Sequence, residues 1–153
     1  MMNAADFSDT QFRALRDTDT VADAVRLALE GSVRDLPVVD ANGTFVGMFK
    51  IDDLLVSLLP RGAVVGMGLP DLGFVHLSVD DLRHKLRDME AHPVRDYAVA
   101  PPEILRPETS ALEAILLLHR GARSLPVVDR IGRLVGVVGP RDVLRTLHSA
   151  PGA

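Results

Sequence analysis

Apolar positions along the chain change their spacing several times, and each change marks an element. Behind Thr20, residues Val21, Ala24, Leu27 and Ala28 recur at helical spacing, and Gly31 stops the predicted helix. Thr20 with Asp23 has the form of an N-cap and a capping box closed by the shorter acid. Pro37 opens Val38-Val39, a short strand too apolar to be exposed. Asp40-Ala41-Asn42-Gly43 reads as a hairpin turn, since Asn42-Gly43 suits the positive φ angles of a tight reversal. Phe45–Phe49 is the returning strand, and Asp52 or Asp53 then caps a helix from Leu54 to Leu59 that Pro60 ends.

The same pattern returns. Leu36-Pro37-Val38-Val39-Asp40 recurs as Leu125-Pro126-Val127-Val128-Asp129, 89 positions later. Laying 19–55 on 108–144 gives fifteen identities in thirty-seven positions, among them Thr20/Thr109, Arg34/Arg123, Gly43/Gly132, Gly47/Gly136 and Asp53/Asp142. Composition alone gives roughly two or three. A supersecondary unit is therefore present twice. In the second copy a helix from Thr109 to Gly121 carries the run Ala114-Ile115-Leu116-Leu117-Leu118, which predicts burial on more than one side. Pro126–Val128 and Leu134–Val138 are its strands, Arg130–Arg133 the turn, and Asp142 caps Val143–His148. Val94–Ile104 reads as an extended lead-in, faintly matched by Phe12–Asp17 in the first copy.

Between the copies, 61–92 reads as an insertion: a glycine-rich loop over Gly62–Gly73, then a helix capped by Ser78 with a narrow stripe of Leu82, Leu86 and Met89, bounded by Pro93. The chain thus divides into a first repeat with its lead-in (1–60), the insertion (61–92) and a second repeat (93–149).

Composition narrows the function. The chain has 153 residues, 47% hydrophobic and 25% charged, which suits one compact domain or two halves sharing a core. A net charge of −4 gives no basic footprint for nucleic acid or an anionic membrane. There is no cysteine, so disulfides, zinc–thiolate sites and thiol nucleophiles are excluded. Neither a signal peptide nor a membrane-spanning run is legible, and a cytoplasmic protein is expected.

The threonine, the alanine-bearing helix, hydrophobic-Pro-Val-Val-Asp, the turn glycine, hydrophobic-Gly-hydrophobic-hydrophobic and the later aspartate together resemble the cystathionine β-synthase (CBS) domain. Two copies in register resemble the tandem CBS pair, or Bateman module, over about residues 12–59 and 93–148. The resemblance implies an α/β (α+β) fold of two β-α-β-β-α units about a pseudo-twofold axis, and commonly a homodimer. It also implies a non-catalytic regulatory module, without cofactor, that binds an adenosine ligand (AMP, ADP, ATP or S-adenosylmethionine) between its repeats. The partner it regulates is not specified by the motif.

By the same resemblance, Asp53 and Asp142 accept hydrogen bonds from ribose hydroxyls, as a carboxylate at a helix start can; capping is their other reading. The Thr or Ser usual three residues earlier is replaced by Lys50 and Gly139. Lys50 can meet a phosphate or lie in solvent. Arg34, Arg123 and Arg141 are phosphate candidates through guanidinium forks, or else pair with acids such as Asp35. Val33 and Ala122, with Ala98, Val99 and Ile104, would hold the adenine or belong to the core, and Tyr97, the single tyrosine, can stack or pack.

Other chemistry finds no support. His76, His84, His92, His119 and His148 lack metal-ligand spacing. Asp52-Asp53 and Asp80-Asp81 read as helix-start acids, and no phosphate loop, dinucleotide fingerprint or serine elbow occurs. The competing reading is a degenerate pair kept as a dimerisation or interaction scaffold without nucleotide, favoured by the two missing hydroxyls.

Overall fold

The computed structural model describes residues 2–31, 34–59, 78–101 and 103–149. In chain order these form α1 (Ala4–Phe7), β1 (Leu15–Arg16), α2 (Val21–Gly31), β2 (Asp35–Val39), β3 (Phe45–Lys50), α3 (Ile51–Ser57), α4 (Val79–Glu90), a 3-10 turn (Val94–Asp96), α5 (Ala111–His119), β4 (Leu125–Val128), β5 (Leu134–Val138) and α6 (Pro140–Ser149). The mixed α/β architecture is the one the family resemblance implies.

Both hairpins are built alike. β2 and β3 run antiparallel, Leu36 facing Phe49 and Val38 facing Gly47, and β4 and β5 match this with Leu125 facing Val138 and Val127 facing Gly136. The repeated aspartate after each first strand is a turn residue. The Asp40 carboxylate accepts from the Asn42 and Thr44 N–H groups at 2.8 and 3.0 Å, and Asp129 does the same for Ile131 and Arg133. Gly43 and Gly132 hold φ of +81° and +89°, which a side chain resists.

Reciprocal hydrogen bonds reveal the pseudo-twofold axis. Phe45 N–H donates to the Gly132 carbonyl, and Leu134 N–H to that of Gly43. Met48 exchanges both backbone bonds with Val99, and Val137 does so with Asp9. Each hairpin is thus flanked by the lead-in of the other repeat. Two cores result: Leu15, Leu36, Val38, Phe49 and Leu54 gather with Met89 and Val94, while Leu105, Leu125, Val127 and Val138 gather with Ala4 and Phe7. The α4 stripe behaves as expected, with Met89 buried and Leu82 and Leu86 packed against the first core. Ser78 and Asp81 close its capping box.

Several local expectations are corrected. The lead-in over 94–104 is not continuously extended: Val94–Asp96 is a 3-10 turn, and among the described residues Val99 makes a strand-like bridge to Met48, with Leu105 just beyond bridging to Val127. The expected lead-in strand of the first repeat is present but short, Leu15–Arg16, parallel to β2. Helix α3 starts at Ile51 instead of Leu54, because the Arg34 carbonyl accepts the Ile51 N–H at 3.0 Å and replaces a side-chain cap; neither Asp52 nor Asp53 caps it. Helix α6 starts at Pro140, whose missing N–H suits a first helical position. Asp142 therefore sits in the first turn, with its carboxylate accepting the Gly139 N–H at 2.8 Å. The apolar run of α5 buries only Ala114 and Leu117 within the chain, leaving Ile115 and Leu116 42% and 47% exposed. Pro60 and the loop over Gly62–Gly73 lie outside the described residues.

Candidate functional site

Two clefts open between the repeats, and each takes the start of a helix from one repeat and the strand entry of the other. The smaller, about 490 Å³, joins Lys50, Asp52 and Asp53 at the β3–α3 junction to Gly121–Leu125 at the entry of β4. The larger, about 650 Å³, joins Gly139–Asp142 at the β5–α6 junction to Gly31, Arg34 and Asp35 at the entry of β2, with Arg123 and Ser124 reaching it too. Both volumes lie within the usual range for small-ligand sites.

The sequence candidates divide between these clefts. Lys50, Asp53 and Ala122 line the smaller one, and Arg34, Gly139, Arg141 and Asp142 the larger. Arg123 lines both. Ala98, Val99 and Ile104 line neither: Val99 is tied to Met48 through its backbone, Ala98 packs toward the first core, and Ile104 is 40% exposed. Met48 and Pro101 occupy that side of the smaller cleft instead. Val33 lies outside the described residues. Tyr97 meets His92 edge to edge, its hydroxyl 2.7 Å from the His92 Nδ1 and the ring centroids 6.1 Å apart, and lines neither cleft.

The two ribose candidates differ in their surroundings. Both Asp142 oxygens carry a donor, the Gly139 N–H at 2.8 Å and the Arg145 guanidinium at 3.2 Å. Asp53 accepts no such bond among the described residues and is exposed. A carboxylate oxygen holds two lone pairs, so Asp142 keeps acceptor capacity, though less of it. At Gly139 a Cβ would lie 3.5 Å from the Arg123 carbonyl oxygen and from Asp142 Oδ2 among the described residues, an ordinary contact distance.

Three contributors escaped the sequence reading. Asp35 opens β2 and lines both clefts; burial pushes its carboxyl above the ordinary value, Lys50 and Arg123 draw it down, and Asp52 and Asp53 add to the push. Asp52 pairs with Arg123 at 2.9 Å. Arg13, with Asp9 and Gln11, reaches the larger cleft from the first lead-in. A charged residue opening an otherwise apolar strand was a visible signal for Asp35. Nothing local reveals that 9–13 crosses to the other repeat. Arg34 and Arg141 form no ion pair among the described residues, where the pairs are Arg13–Glu30, Arg26–Asp23, Arg83–Asp80, Arg123–Asp52 and Arg145–Asp142. No group of three metal-ligating side chains occurs among the described residues.

Comparison with known proteins agrees with this geometry. The CBS domain family matches residues 4–60 and 94–149. The chain is 31% identical over 134 residues to CBSX2, a chloroplastic CBS domain-containing protein of Arabidopsis thaliana, covering 86% of this chain and 56% of that one. It thus spans just over half of the curated plant relative. Among solved structures, CBS-pair protein CBSX2 from Arabidopsis thaliana superposes with a TM-score of 0.72 at 27% identity, over 95% of this chain and 94% of the other. A crystal structure of CBSX2 in complex with AMP gives 0.69 at 26% identity, over 97% of both. Two matched repeats, two cores and reciprocal lead-ins together place the chain in the CBS domain family, as a tandem pair.

Proposed function

We propose that this CBS pair is a regulatory module that binds an adenine nucleotide in the clefts between its repeats and carries out no chemistry itself. The observation that carries the reading is the convergence of motif residues distant in sequence: Lys50 and Asp53 stand across one cleft from Ala122 and Arg123. The AMP complex of CBSX2 lends it support. Asp53 or Asp142 would accept from the ribose hydroxyls while Arg34, Arg123, Arg141 or Lys50 meets the phosphate. A ligand touching both repeats shifts their arrangement only by its differential affinity for two states, and a partner protein reads that shift. Isothermal titration with AMP, ADP, ATP and S-adenosylmethionine tests the reading. At least one saturable isotherm is expected, and four flat traces on folded protein would reject it.

A second copy of the chain is the assembly partner. Leu112, Ile115 and Leu116 on α5 and Leu144 and Leu147 on α6 are exposed large hydrophobics on helices that pack together, and a homodimer would cover them. The engaged Asp142 and the absent hydroxyls favour the scaffold alternative, in which the dimer forms without nucleotide. Asp142→Ala discriminates: a sensor loses affinity, whereas a scaffold keeps its dimer and shows no binding to lose.

A further inference from the structure

The clefts are unequal in charge and share a wall. The larger carries five arginines (13, 34, 123, 141 and 145) against Asp9, Asp35 and Asp142. The smaller carries Lys50, Arg120 and Arg123 against Asp35, Asp52, Asp53 and Glu103. Arg123 and Asp35 belong to both. Arg123 has a single guanidinium, held by Asp52 at 2.9 Å, with 49% of the Arg123 side chain and 57% of the Asp52 side chain exposed. An ion pair this open to water is weak, and a phosphate, with more charge and more acceptor oxygens, outcompetes one carboxylate for the same guanidinium.

We propose that the two clefts are negatively coupled for phosphorylated ligands: the arginine-rich cleft fills first, draws Arg123 to its phosphate, and so weakens binding in the cleft beside Lys50. The proposal rests on the nucleotide reading above. With Arg123 withdrawn, the smaller cleft keeps two cations against four carboxylates. Asp52 loses its partner, and Asp35 loses one of the two cations that offset its burial. A second phosphate then enters a field of its own sign. The coupling is reciprocal, because Arg123 serves one cleft at a time. Uncharged adenosine makes no demand on Arg123 and escapes the effect.

Calorimetric titration with ATP tests this in four proteins. Wild type is expected to show one tight event and a second weaker event. In Arg141→Glu, which disables the arginine-rich cleft, the remaining event is expected about tenfold tighter than the second event of wild type, within the range common for coupled sites. Adding Arg123→Gln to each of these backgrounds should erase that difference. Equal affinity of the smaller cleft in wild type and Arg141→Glu would overturn the coupling while leaving nucleotide binding standing. Absence of any heat in wild type would remove the nucleotide reading, and the coupling with it.

Discussion

At the scale of single residues, the repeated Gly47 and Gly136 explain how each hairpin accepts the lead-in of the opposite repeat. A Cβ on Gly47 would sit 2.9 Å from the Val99 carbonyl oxygen, and one on Gly136 would sit 2.6 Å from Ser8 Oγ. Gly47→Ala is therefore expected to cost about 1–3 kcal/mol in urea unfolding, since backbone must move. Gly136→Ala is expected to cost a similar amount, but Ser8→Gly should recover most of that loss and none of the loss at Gly47. Asp35 gives a pH-dependent prediction. Its raised pKa means that the folded state disfavours its charge, so its stabilising contribution is fully present below the unfolded value of 3.8 and is lost as pH rises through the folded value. Asp35→Asn should thus raise the Tm at neutral pH, with the gain vanishing below 3.8. The repetition of both glycines was legible, but their reason was not, because the atoms that crowd them come from residues about fifty and 128 positions away.

At the scale of elements, α1 and α4 show what a pattern along the chain conveys and what it omits. The amphipathic stripe of α4 and its cap were readable from Ser78 to Met89, and the structure seats that stripe on the first core. Helix α1 is a single turn with Ala4 and Phe7 buried in the second core, a placement that no local periodicity encodes. Phe7→Ala is expected to cost about 3–5 kcal/mol. Hydrogen exchange should show the loss of protection concentrated in β4 and β5 instead of β2. The helix starts were misplaced for a related reason: Ile51 is satisfied by a carbonyl across the hairpin, and Pro140 needs no partner. The Thr20 cap was readable, since its partner Asp23 lies three residues on; the Thr20 hydrogen bonds hold Asp23 below the ordinary value. Thr20→Ala should cost about 1 kcal/mol. The part due to Asp23 is present above 3.8 and fades as pH falls through its lowered value.

At the scale of the whole molecule, duplication sets the architecture, and differences between the copies distinguish the linings of the two clefts. The fold was legible because fifteen identities fix two hairpins and their partner helices. The site was legible only in part: the motif pointed to Asp53, Asp142, Lys50 and Arg123, whereas Asp35, Asp52 and Arg13 join through pairing across the pseudo-twofold axis. The exposed Leu112, Ile115 and Leu116 of α5 predict an assembly of twice the chain's 16.5 kDa. Leu116→Asp should convert it to single chains in sedimentation velocity. Nucleotide occupancy of the inter-repeat clefts is the claim on which the sensing role depends, and amide chemical-shift mapping on isotope-labelled protein titrated with ATP addresses it most directly. The account predicts saturable shifts concentrated at 121–125, 50–53 and 139–142. Spectra unchanged at saturating ATP, or shifts confined to surfaces away from these junctions, would contradict it.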